Sequence, residues 1–134
     1  MKKMLLFLFA LFSLTLFSAC GGDIGNVRIQ TCSSDLYSQE EISDAIETAL
    51  RHFRKEFKDC TLAEIGYLGD EKIRNYQEFA VRNQADDVIV LVSSFTVGAS
   101  GGDGSLNPNS VYWDWKWILV RNNGGKWRHV DHGY

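Results

Sequence analysis

No apolar stretch in this chain of 134 residues is long enough to cross a bilayer. The longest runs from Met4 to Leu16, broken only by Ser13 and Thr15. At about 13 residues it falls short of the roughly 20 that a spanning helix needs, so a permanent transmembrane helix is not expected. Basic character is also scarce: 14 Lys and Arg stand against 17 Asp and Glu, and none of them gathers into a patch that would track phosphates. Nucleic acid is therefore not expected as a partner. Signatures of catalysis are missing too. Gly101-Gly102-Asp103-Gly104 leads into no expected helix and has no lysine placed to reach a phosphate, so it is not a nucleotide loop. Ser93 and Ser94 lack the elbow that exposes a nucleophile. There is no internal repeat, and no cofactor is expected.

What the chain does carry begins at its first residues. Lys2 and Lys3 precede the apolar stretch, which ends in Phe17-Ser18-Ala19-Cys20, the form of an export signal. A cysteine directly after Ser-Ala resembles the lipobox of bacterial lipoproteins. That resemblance implies cleavage before Cys20, acylation of its thiol and attachment to the extracytoplasmic face of the cell membrane; an ordinary secretory cut nearby would leave Cys20 a free thiol. Acyl chains bury about 0.8 kcal/mol per methylene, and two or more make a stable anchor. The expected organisation is a signal peptide over 1–19, a flexible tether over 20–36 with Gly21, Gly22, Gly25, Ser33 and Ser34, and a single domain over 37–134. Loss of Lys2 and Lys3 leaves 12 basic against 17 acidic residues, a mature charge near −5. Outside the cell Cys32 and Cys60 can form a disulfide, or stay reduced with Cys60 as a small buried apolar residue.

Within the domain, Ser38 and Glu41 form a capping box ahead of Ile42, Ala45, Ile46, Ala49, Leu50, Phe53 and Phe57, which recur at helical spacing. A short strand is expected over 60–68, a second helix over 70–83, and a strand over 87–97 buried on both faces around Val88-Ile89-Val90-Leu91-Val92. A loop over 98–110 leads to a strand over 111–121, an Asn123-Gly124 turn of type I′, and a last strand over 126–131. This order predicts an α+β fold: a long first helix and a second helix packed on a curved antiparallel sheet of about four strands. It resembles the cystatin-like cone of the SnoaL-like superfamily. The chain from about Ser33 onward also resembles a group of small bacterial lipoproteins carrying a domain of unknown function. The likeness is carried by Ser100 to Asn109, Trp115 to Arg121, Trp127 and His129-Val130-Asp131-His132-Gly133-Tyr134. It implies a fold and a compartment and transfers no catalytic residue.

A turn centred on Asn123 and Gly124 sets Lys116 opposite Asp131, Ile118 opposite His129 and Val120 opposite Trp127. Asp114, Lys116, His129 and Asp131 then share one face, with Trp113, Trp115 and Trp117 on the other. In a cone mouth the first group would suit acid–base work, His129 titrating and Asp131 orienting it; the plainer account is a Lys116–Asp131 cross-strand ion pair on a solvated face. In that register His132 points away from His129 and Asp131, so no metal is expected there. Asp103, Ser105, Asn107 and Asp114 take ligand positions of a calcium loop, but Pro108 stands where the sharp turn demands glycine. At least two of the three tryptophans are expected in the core. The function expected is a membrane-anchored, non-enzymatic binding module for a peptide, protein or cell-envelope component, with Asp103, Asn107, Asn109 and Trp113 as candidate contacts on the long loop and sheet rim. The alternative is a small SnoaL-like enzyme using His129 and Asp131.

Overall fold

Ser38 starts the longest helix as its spacing predicts. Its hydroxyl accepts the backbone N–H of Glu41 at 3.1 Å, and the Glu41 carboxylate accepts the Ser38 N–H at 3.0 Å. Helix α1 (Gln39–Glu56) carries Glu40 and Glu41 in its first turn and Arg54 and Lys55 in its last, complementing the helix dipole. Ile42, Ala45, Ile46, Ala49 and Phe53 form its buried stripe. The computed structural model describes residues 21–134; the export signal over 1–19 and the lipidation expected at Cys20 lie outside the described residues.

The fold is α+β, with the helices packed on one open sheet of five strands in the order β1 (Arg28–Gln30), β2 (Cys60–Tyr67), β3 (Asp87–Val97), β4 (Val111–Arg121) and β5 (Arg128–Gly133). The last four strands pair antiparallel, but β1 joins β2 in parallel, so the sheet is mixed and one strand wider than expected. That extra strand lies inside the segment expected to be a leash. The Gly22 N–H donates to the Arg54 carbonyl at 3.0 Å, Asp23 bridges to Thr61, and the Asp70 carboxylate holds the Ser34 hydroxyl and the Asp35 N–H. Glycine here serves close approach rather than flexibility: a Cβ on Gly22 would lie 2.5 Å from the Phe53 carbonyl oxygen.

The second helix is broken into α2 (Asp70–Ile73), a 3-10 turn over Arg74–Tyr76 and α3 (Gln77–Arg82). Val88, Ile89, Val90 and Leu91 are all buried, as a strand covered on both faces requires: α1 packs on β2, β3 and β5, while α2 and α3 pack on β3 and β4. On the α1 side, Phe53, Phe57, Phe95, Trp115 and Trp117 make a contiguous aromatic core with ring centroids 4.9–6.3 Å apart.

The β4–β5 hairpin departs from its expected register. Asn123 and Gly124 both have positive φ, 54° and 63°, and the Gly125 N–H donates to the Asn122 carbonyl at 2.9 Å, so the type I′ turn forms. Trp127 then leaves the ladder. Its indole N–H donates to the Glu41 carbonyl at 3.0 Å and its ring lies 4.3 Å under the Arg121 guanidinium, so Val120 pairs with Arg128 instead. A second slip follows Leu119–His129, and Ile118 pairs with Asp131, Trp117 with His132 and Lys116 with Gly133. Each slip of one residue exchanges the faces of every side chain beyond it.

Candidate functional site

The two slips decide which groups meet. His129, opposite Leu119, and His132, opposite Trp117, both face α1, although three positions apart on a regular strand would put them on opposite sides. Asp131, opposite Ile118, points to the other side. The constellation expected from the simple register therefore does not assemble: His129 is parted from Asp131, and among the described residues no ion pair joins Lys116 to Asp131. Asp131 accepts the backbone N–H of His132 at 2.8 Å, a local contact on an exposed edge. Asp114 sits at a bulge between β3 and β4 with φ of 56°, separate from these groups.

The third member of the cluster comes from α1. His52 flanks the buried stripe one turn beyond Ala49 and stacks on His129, with ring centroids 4.1 Å apart and planes inclined by 30°. His132 Nδ1 lies 3.1 Å from His129 Nε2, and one ring nitrogen from each of the three residues falls within 4.8 Å of the others. The chain has three histidines, and all three are here. The cluster rests on aromatic rings: Trp115 stacks on His132 at 5.6 Å, Trp117 lies 5.4–5.9 Å from all three imidazoles, and Phe57 packs against His52 and His132. His132 turns toward His129 rather than away because of the second bulge, which leaves no mark in the sequence, and His52 reads there as one more polar residue on a helix flank.

Burial in this apolar setting disfavours the imidazolium. It pushes His129 down to about 4, with the neighbouring His52 and His132 adding to the effect against Asp131. His52 and His132 are lowered by the same burial; Lys55 adds to the lowering of His52 while Glu56 opposes it, and His52 adds to the lowering of His132 while Asp131 opposes it. Burial thus favours the neutral imidazole at all three positions, whose ring lone pairs can meet an N–H or a metal ion, and His129 and His132 already meet one another.

Beside the cluster opens a pocket of about 280 Å³. His52, Phe57, Trp115 and Leu106 supply its apolar lining, His132 opens into it, and Glu56, Lys58, Asp103 and Ser105 stand at its polar side. The fourth wall is the loop over 98–110, which is not a free arm. The Asp59 carboxylate accepts both the N–H and the hydroxyl of Ser100, at 3.0 and 2.6 Å, and the Asn107 N–H donates to the Tyr112 hydroxyl at 3.0 Å.

The other sequence candidates divide. Asp103 lines this pocket, with its carboxylate occupied by the Ser105 N–H and hydroxyl rather than arranged around a cation. Asn107 and Asn109 shape the loop, the latter at φ 53°. Trp113 is 62% exposed and lines a different groove, because the bulge at Asp114 turns it away from Trp115 and Trp117; those two are buried as expected. Cys32 and Cys60 are both free thiols, and burial raises that of Cys60 to about 11. Comparisons with protein-family models, with curated proteins and with solved structures find no match to this chain.

Proposed function

We propose that this chain is a lipid-anchored, extracytoplasmic binding module of the cystatin-like type, held at the membrane by acylated Cys20, that seats a peptide in the pocket between α1, the 98–110 loop and β5. The single observation behind this reading is the pocket's make-up: an apolar floor of Phe57, Leu106 and Trp115 under a rim of both charge signs, Glu56 and Asp103 against Lys58. At about 280 Å³ it accepts one large side chain rather than a folded surface, while the rim meets the polar groups that flank such an anchor. The pinned loop gives the pocket a preformed wall, which lowers the ordering cost of binding. An acid–base enzyme built on His129 and Asp131 finds no support, since their side chains lie on opposite sides of β5.

The test is site-specific photo-crosslinking in intact cells. A photoreactive residue at Ser105, in the pocket, is expected to capture a peptide-bearing species that mass spectrometry identifies, and the same group at Glu71 on α2 is expected to capture none. Equal capture at the two positions, or none at Ser105, would discard the pocket as the binding site.

A further inference from the structure

We propose that His52, His129 and His132 form a binding site for a divalent late first-row transition ion of the zinc or copper class, with three imidazole ligands and one exchangeable position. This inference does not depend on what the neighbouring pocket holds.

Three features carry it. The first is convergence: two separate elements, α1 and β5, bring all three histidines of the chain to one point, with a ligating nitrogen of each within 4.8 Å of the other two. An ion bound tetrahedrally at about 2.0–2.1 Å from each nitrogen requires those nitrogens to stand about 3.3–3.4 Å apart. His129 Nε2 and His132 Nδ1 are already 3.1 Å apart, and a His52 ring nitrogen lies within 4.8 Å of a ring nitrogen of each.

The second feature is the strand itself. A His-x-x-His spacing on a regular strand cannot chelate, because the two side chains diverge. The bulge between His129 and Asp131 breaks the ladder and re-aims both rings onto one face, which is how bulges are used beside functional sites. A purely structural cluster gains little from this. His52 makes no hydrogen bond to any described residue, the ring nitrogens of His129 and His132 meet only each other at 3.1 Å, and packing the half-buried His52 and His129 against Trp117 and Phe57 without a paired carboxylate disfavours the fold relative to apolar side chains of the same shape. A cation shared by three lone pairs gives His52 a partner and replaces the His129–His132 ring contact with two metal bonds.

The third is donor chemistry. A set of neutral imidazoles, with no carboxylate or thiolate among the three, suits zinc, copper, nickel or cobalt and is poor for calcium or magnesium, which want oxygen. Cys60 does not compete, since its thiol is buried and donates to the Lys58 carbonyl. His52 and His132 also line the pocket, so the fourth coordination position opens to water or to a donor from a bound molecule, the arrangement of three-ligand sites rather than of closed structural ones.

The experiment uses the full chain purified in mild detergent without a polyhistidine tag and stripped with a chelator. Titration with Co²⁺ is expected to give one-to-one binding with the intense visible absorption of tetrahedral cobalt, without a thiolate charge-transfer band, and Zn²⁺ is expected to displace it. His52→Gln, His129→Gln and His132→Gln, each checked for an unchanged circular dichroism spectrum, should weaken Zn²⁺ binding by more than the roughly 10–100-fold that loss of a merely supporting partner costs. Should one variant misfold, the cobalt spectrum of the unmutated chain still decides. Octahedral or absent absorption, a thiolate band, or affinity that survives all three substitutions would overturn the assignment.

Discussion

Helix α1 meets the β4–β5 hairpin twice, and the two contacts are built from opposite materials. Toward its N-terminus, Arg121 is buried to 8% exposure, donates to both Glu41 and Asp87, and lies over the rings of Tyr37 and Trp127. Every charge there has a partner. Toward its C-terminus, His52, His129 and His132 crowd against tryptophan with no carboxylate among them, beside an open pocket. The first end is satisfied and sealed, so it accounts for itself as structure. Among the described residues the second holds ring nitrogens that meet only one another, with His52 unbonded, and that difference is why a ligand is sought there and not at Arg121.

Breaking the sealed end should have the largest effect. Arg121→Ala strands Glu41 and Asp87 near a buried surface and removes the guanidinium that covers Trp127, so a loss of about 3–5 kcal/mol is expected by urea denaturation. Burial does not prevent Arg121 from staying charged: although desolvation lowers its affinity for the proton, the carboxylates of Asp87 and Glu41 outweigh it and the net shift is upward. A change below about 1 kcal/mol would mean that the hairpin is held by its turn and aromatic packing alone.

The open end should instead make the metal-free protein sensitive to mild acid. His129 binds its proton at about 4 in the fold against an ordinary 6.5, so between these values the unfolded chain holds more protons than the native one. Stability is then complete above about pH 6.5 and declines as pH falls toward 4. Lys55 and Glu56 on α1 and Asp131 on β5 are the other charged groups facing the cluster, and they modulate this window without reversing it. Because the ring is only part-buried, solvent screening trims the effect to about 1–2 kcal/mol. Urea midpoints at pH 7.5, 6 and 5 in the presence of a chelator test it. A flat profile, or one that His129→Gln leaves unchanged, would sever the cause from the cluster. The carboxylates held low by hydrogen bonds, such as Asp59 on Ser100 and Asp70 on Ser34, add their own losses only at lower pH.

The same two ends explain how far the amino-acid sequence could be read. Helix α1 was legible to its caps, since a capping box and a 3.6-residue stripe are local signals; so were the doubly buried β3 and the Asn123-Gly124 turn. Strand β1 was not, because glycines that admit close contact look like glycines that admit motion, and only the Arg54 and Phe53 carbonyls distinguish the two. The site failed at two tertiary decisions. Trp127 prefers the underside of Arg121 to its place in the ladder, and no periodicity records that preference. The second slip, between His129 and Asp131, then parts two residues that register arithmetic assigns to a common face, and no local pattern marks it either. A pattern that could have hinted at the answer is composition: three histidines in the whole chain, two of them within four residues of each other.

The smallest effect is the sharpest test of that revised register. Were His129 and Asp131 an acid–base pair, Asp131→Asn would disturb the imidazole strongly. In the observed arrangement Asp131 faces away, accepts only the N–H of the next residue and is exposed, so the substitution should change stability by less than about 0.5 kcal/mol. Its remaining influence is through space: its charge favours protonated His129 and His132, so removing it should lower the titration midpoints of both rings slightly, read by NMR, and leave that of His52 unmoved, since Asp131 does not act on it. A large downward shift of His129, well beyond this slight one, or a loss of several kcal/mol would restore the shared face and dissolve the contrast between a satisfied end and an open one.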